Sequence, residues 1–173
     1  MEQLWRDNRL NMIHEGTHGI QALDLLGRNV LMDDGAAFAL LGERVTATIG
    51  RVRPQEGLAR LAGSLEAAFE KLRGATQAAW ATGIPDEALA NATPYLQAFG
   101  HFVIAWIWLD VAVTASRVRN ERGTANGSEY LRGKLQATRY FFDYELPKID
   151  AWLKVVEVRN STCREMKDEW FSE

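Results

Sequence analysis

Phe102-Val103-Ile104-Ala105-Trp106-Ile107-Trp108-Leu109 is apolar at every position and leaves no side chain for a solvent face. A helix with that pattern is either covered on all sides or spans a membrane, so what surrounds it decides the fold. From Ala88 to Leu109 no residue is formally charged, and the stretch is long enough to cross a bilayer. It also holds Asn91, Thr93, Pro94, Gln97 and His101, and Asp110 follows at once. Polar groups at that density are costly in lipid, so no membrane span is expected. The stretch reads instead as the turn into, and the first half of, the central helix of a bundle. Thr93 and Pro94 suit an N-cap and a first helical position, and the helix should run to about Arg119.

Outward from this helix, apolar residues recur at three- and four-residue spacing, and strict strand alternation is hard to find. Ile20, Leu23 and Leu26 set a short stripe that Gly27 should stop. Asp33 and Asp34 suit a helix start, and Phe38, Leu41, Val45, Ile49 and Val52 follow until Pro54 forbids continuation. A further stripe runs through Leu58, Leu61, Leu65, Phe69 and Leu72 to Trp80, with Gly83 and Pro85 as punctuation. Asn120 to Gly127 is rich in turn residues. After it Ser128 can cap a helix with Leu131, Leu135, Phe141 and Phe142 inward and Arg132, Lys134 and Arg139 outward. Pro147 should kink or divide that helix before Ile149, Trp152, Leu153 and Val156 continue the apolar face. Thr162 and Glu165 have capping-box spacing for a short last helix. The expectation is an all-α protein, an antiparallel helical bundle.

The totals agree with one soluble unit. The chain has 173 residues, 47% hydrophobic and 25% charged, with 14 Gly and 4 Pro, which excludes collagen-like and disordered classes. Twenty Lys+Arg against 23 Asp+Glu give a net charge of −3, and without a basic run nucleic acid is a poor partner. Met1 to Leu10 mixes charges of both signs and lacks the apolar core of a secretory signal. Cys163, the single cysteine, can form neither an internal disulfide nor a cysteine-based zinc site. A cytoplasmic location is expected. His101 reads as a hydrogen-bonded core histidine, and Asp110 as a carboxylate in need of a basic partner from another helix or an open groove. Trp80, Trp106, Trp108 and Trp152 read as core or interface anchors.

Chemistry concentrates in Trp5 to Arg28, where His14-Glu15-Gly16-Thr17-His18 admits two readings. As H-E-x-x-H on one helix, His14 and His18 could hold zinc with Glu15 as general base and Glu43 as a further ligand. That requires unbroken helix through Gly16, which costs about 1 kcal/mol relative to alanine. The longer metal pattern also fails, since Gln21 and Asp24 occupy its Gly and third His positions. In the second reading the helix breaks at Gly16, Thr17 caps a new helix from His18, and unpaired N–H groups face a carbonyl oxygen or a phosphate. Met12, Ile13 and Ile20 would partly desolvate Glu15 and raise its pKa toward that of a useful general base.

The segment Arg6-Asp7, Arg9-Leu10, Ile13-His14-Glu15-Gly16-Thr17 and Gly19-Ile20-Gln21 resembles the catalytic loop and following helix of acyl-CoA dehydrogenases. The continuation Ala22-Leu23-Asp24-Leu25-Leu26-Gly27-Arg28 is similar to the longer bacterial members, which carry an extra helical domain after this point. The resemblance implies that Glu15 removes the α-proton of an acyl-CoA thioester while hydride leaves the β-carbon for FAD. By the same match Gly16 would touch substrate, and Thr17, His18 and Gly19 would lie against the flavin, with no metal ligand set. His14 stands where many members have tyrosine, and His18 where a small or polar residue is frequent. The implied division is 1–30 as the end of the catalytic domain, 31–160 as an appended four-helix bundle and 161–173 as a tail helix. Further implications are an electron-transferring flavoprotein as acceptor, a homo-oligomer, and dependence on flavin-binding domains that these residues do not contain. The chain alone is therefore expected to lack FAD and activity. The reading from another class is a non-catalytic helical interaction or dimerisation module.

Overall fold

The computed structural model describes residues 2–9, 17–55, 57–122 and 128–171, and all regular structure among them is helical. The expected stripes account for most of it. Helices α1 (Glu2–Asn8) and α2 (His18–Asp24) come first, and α2 runs on through a π-helical turn, Leu25–Asn29. The bundle follows as α3 (Met32–Val52), α4 (Ala59–Ala79), the short α5 (Pro85–Leu89) and α6 (Ala92–Arg122). It closes with α7 (Ser128–Tyr140) and α8 (Ile149–Glu157), separated by a π turn at Phe141–Glu145 and a 3₁₀ turn at Leu146–Lys148. Pro147 lies in that 3₁₀ turn and divides the last long helix as expected.

Cross-helix contacts fix the directions. Gly42 of α3 faces Phe69 of α4, while Arg53 at the far end of α3 pairs with Glu66. Phe69 stacks on Phe102 of α6 with centroids 5.5 Å apart, and Thr76 meets Tyr95 at 2.6 Å. Along the return path Thr138 donates to the Trp108 carbonyl, Glu145 lies 3.5 Å from His101, and Asn91 donates to the Asn160 carbonyl at 2.9 Å. Helix α3 is therefore antiparallel to α4, α4 to α6, and α6 to the α7–α8 path, which is the up-down-up-down bundle. Its core is one cluster that includes Val45, Leu65, Leu72, Phe102, Leu109 and Leu153, all buried. Each such large side chain contributes roughly 1.5–3 kcal/mol on leaving water.

Several expectations need correction. Helix α6 is long and apolar enough to cross a membrane by length and composition. Its Tyr95, Phe102 and Leu109 are nevertheless sealed in the protein core. Covering is incomplete, however, because Ile104 and Ile107 remain 43% and 54% exposed. Three neighbouring paths cannot close the whole circumference of one helix. The helix also starts at Ala92, ahead of the Thr93 cap inferred from sequence, and Asn91 instead reaches across to Asn160. It runs on to Arg122, so Asn120 to Arg122 belong to it and not to the expected loop. Residues 123–127 lie outside the described set.

Asp33, Asp34 and Gly35 are all left-handed, at φ 49°, 56° and 83°. The helix thus starts where expected, but through a left-handed corner and not a capped turn. Aspartate tolerates that region better than most residues because its short side chain can bond locally. Near the C-terminus, residues 162–165 form a turn and Asp168–Phe171 a 3₁₀ turn, where a capped helix was expected. The reason is visible at Thr162, whose N–H donates to Asn160 Oδ1 and not to a reciprocal capping partner.

Candidate active-site segment

Of the residues singled out for chemistry, Thr17, His18 and Gly19 are described, whereas His14, Glu15 and Gly16 lie outside the described set. Thr17 occupies the N-cap position of α2 at φ −93°, ψ −4°, and its carbonyl accepts from the Gln21 N–H at 2.8 Å. The helix boundary thus falls where the broken-helix reading put it. The capping role assigned to the Thr17 side chain is corrected, since its hydroxyl makes no cap hydrogen bond. Its helical backbone angles differ from the extended ones from which a cap side chain usually reaches back. All three residues are exposed, and a Cβ added at Gly19 would meet nothing within 4 Å.

Behind this exposed start, α2 is held firmly. Ala22 and Leu26 are fully buried and Val30 nearly so, one helical turn apart, and α2 packs on α6. The expected stripe of Ile20, Leu23 and Leu26 is corrected accordingly: Leu26 is buried, but Ile20 is 67% and Leu23 48% exposed. Gly27 does not stop the helix, because the π turn carries it on, with Val30 N–H donating to the Leu25 carbonyl at 3.0 Å. Its missing side chain admits Leu89, which an added Cβ would approach to 3.3 Å. A π turn leaves carbonyls poorly matched within the helix, and the Trp80 indole N–H donates to that of Leu26 at 3.1 Å. Sequence reading placed Trp80 among the anchors but not this bond, which depends on a chain crossing no local pattern encodes. On the outer face Arg28 and Asn29 both bond Asp24, and the Arg28 hydrogen bond chiefly holds the Asp24 carboxyl below its ordinary value.

The remaining candidates are structural. His101 is hydrogen-bonded as expected but only partly buried: Nδ1 contacts the Gln97 carbonyl, the ring sits edge-on to Trp152 with centroids 4.7 Å apart, and Nε2 lies 3.5 Å from Glu145 at the edge of the core. Asp110 is not buried: it is 57% exposed and pairs with Arg51 of α3 at 3.2 Å. Trp106 donates to the Thr48 hydroxyl at 2.9 Å. Cys163 is exposed. Among the described residues no group of three or more His, Cys, Asp or Glu is placed to hold a metal.

Comparison with known proteins agrees with this arrangement. Residues 41–167 match the family model described as acetyl-CoA dehydrogenase C-terminal like. Over 159 residues, 86% of the chain, the sequence is 29% identical to a 3-methylmercaptopropionyl-CoA dehydrogenase of Ruegeria pomeroyi, 25% of whose length is covered. It is 23% identical over 99% of the chain to a broad-specificity linear acyl-CoA dehydrogenase of Mycobacterium tuberculosis, covering 29% of that protein. A butyryl-CoA dehydrogenase of Syntrophomonas wolfei matches at 23% over 98% of the chain and 28% of its own length. The chain therefore spans between a quarter and three-tenths of the curated relatives it matches.

Proposed function

The chain belongs to the acyl-CoA dehydrogenases as a C-terminal portion, and from that premise we propose that it supplies the catalytic base of an FAD-dependent, cytoplasmic enzyme that desaturates an acyl-CoA thioester between the α and β carbons. The observation that supports this is the exposed start of α2 at Thr17 to Gly19, which follows Glu15 and Gly16 directly in sequence, on a helix whose Ala22 and Leu26 are built into the bundle core. In this reading a Glu15 carboxylate oxygen takes the α-proton, while the Glu15 N–H donates to the thioester carbonyl and acidifies the α-carbon. Gly16 lets substrate approach the backbone.

Thr17, His18 and Gly19 fit a flavin contact as one wall of a larger site: all three are exposed, a Cβ at Gly19 would meet nothing within 4 Å, and they stand at a helix start, where the first N–H groups have no partner within the helix. When bound, FAD supplies the acceptor for the β-hydride. The rest of the flavin site, the electron-transferring flavoprotein as acceptor and homo-oligomeric assembly belong to the complete enzyme. A second reading, the bundle as an interaction module, is favoured by the exposure of Ile104 and Ile107 and is compatible with the first.

In the complete enzyme Glu15→Gln should lower turnover by on the order of 10²–10⁴ with the flavin retained, measured as acyl-CoA-dependent dye reduction. The 173-residue chain by itself should purify without flavin absorbance. Full activity in Glu15→Gln rejects the base, and a stoichiometrically yellow isolated chain rejects the dependence on other domains.

A further inference from the structure

One cleft of about 560 Å³ lies where the end of α6 meets α7, within the range of roughly 300–1,000 Å³ usual for small-molecule sites. Its walls carry Arg119 from α6 and Arg132, Gln136 and Arg139 from α7, with Glu129 as the acidic member. On α7, Arg132 and Arg139 are seven residues apart, so they share a face and stand about 10 Å apart along the axis, with Gln136 between them.

The charges in this cleft are unusual for the molecule. Most of its arginines are committed, for example Arg28 to Asp24, Arg51 to Asp110, Arg60 to Asp143 and Arg164 to Glu87. Arg132 is tied to Glu129 at 2.9 Å. Arg119 and Arg139 have no ion pair or side-chain hydrogen bond among the described residues, although the chain as a whole is acidic. Two guanidinium groups without a partner among the described residues and an amide donor along one cleft form a row of donors suited to phosphate oxygens.

We propose that this cleft binds a small ligand carrying several phosphates in a row, of the oligophosphate or nucleoside polyphosphate class. Arg119 and Arg139 hold the outer phosphates, and Gln136 and Arg132 contact the centre. Concavity and volume favour a small molecule over a protein surface, which would need a broader and flatter face. The site is independent of the dehydrogenase reading, because none of its residues belongs to the Thr17–Gly19 wall.

The test is calorimetric titration of the full chain with tripolyphosphate and, separately, orthophosphate. Saturable one-to-one binding of tripolyphosphate is expected, with orthophosphate weaker by roughly 10-fold or more because it can reach only one of the separated arginines. Arg119→Ala and Arg139→Ala should each weaken tripolyphosphate at least about 5-fold, and Glu129→Gln, which releases Arg132, should tighten it. Arg44→Ala removes the same charge from an arginine outside the cleft that has no ion pair among the described residues, and should leave binding unchanged. Equal loss in Arg44→Ala and Arg139→Ala, no saturation, or an unchanged affinity in both cleft variants overturns the proposal. Circular dichroism of each variant distinguishes lost contacts from lost fold.

Discussion

Tyr95 is fully buried between α4 and α6, and its phenol is held by one partner. The Thr76 hydroxyl has a single proton, which it donates to the Leu72 carbonyl at 2.8 Å, so the phenol must be the donor in the 2.6 Å contact between them. Burial chiefly raises this phenol, from an ordinary 10.0 up to about 12. The folded chain thus holds the proton more tightly than the unfolded one. The stabilisation is complete below the unfolded value and is lost as pH rises from about 10 to about 12. A shift of that size corresponds to roughly 2–3 kcal/mol. Tyr95→Phe removes the bond at a cost of about 1 kcal/mol at neutral pH, but it also removes the alkaline sensitivity. Denaturant midpoints of the two proteins should therefore converge between pH 8 and 11. Profiles that stay parallel would show that Tyr95 does not govern alkaline stability.

Between α3 and α4 the fit depends on a missing side chain. A Cβ at Gly42 would come within 2.8 Å of Phe69 Cζ. The Phe69 ring cannot swing clear, since it packs on Phe38 at 5.6 Å and stacks on Phe102. Gly42→Ala gains about 1 kcal/mol of helix propensity but loses roughly 1–3 kcal/mol to overpacking, so net destabilisation is expected. Gly63→Ala in α4 meets nothing within 4 Å and should stabilise by up to about 1 kcal/mol. Thermal melts moving in the same direction for both would refute the packing argument. The contrast also marks how far sequence carries. The stripe Leu61, Leu65, Phe69 and Leu72 predicts α4 because periodicity is local information. Which glycine touches a ring is settled by a partner helix, as is the π turn that leans on Trp80. The left-handed run at Asp33 to Gly35 escaped for a related reason, because aspartates serve helix starts and tight corners alike. The order Ile13 to Gly19 suggests a candidate base, but the same residues also satisfy a zinc spacing, and His14, Glu15 and Gly16 lie outside the described residues, so of this stretch the structure adds only the start of α2 at His18.

Across the whole molecule, one group of unburied apolar side chains lies on α2 and the corner that follows it. Ile20 and Leu23, one turn apart on α2, face away from the bundle, and Leu31 and Met32 at the following corner are also exposed. Large side chains grouped in this way mark contact surfaces more often than isolated ones do. If the α2 face normally lies against the remainder of the catalytic domain, the isolated chain should shield it by self-association. Sedimentation velocity over a rising concentration series should then show a shift toward dimers or larger species. Ile20→Glu with Leu23→Glu should hold the chain monomeric, with its helical circular dichroism unchanged because neither side chain enters the core. In the complete enzyme the same pair should cost stability and flavin retention, since two carboxylates would then be buried without partners. Association that persists undiminished in the double variant would move the contact to another surface, with the α6 ridge at Ile104 and Ile107 next to be tested by the same substitution.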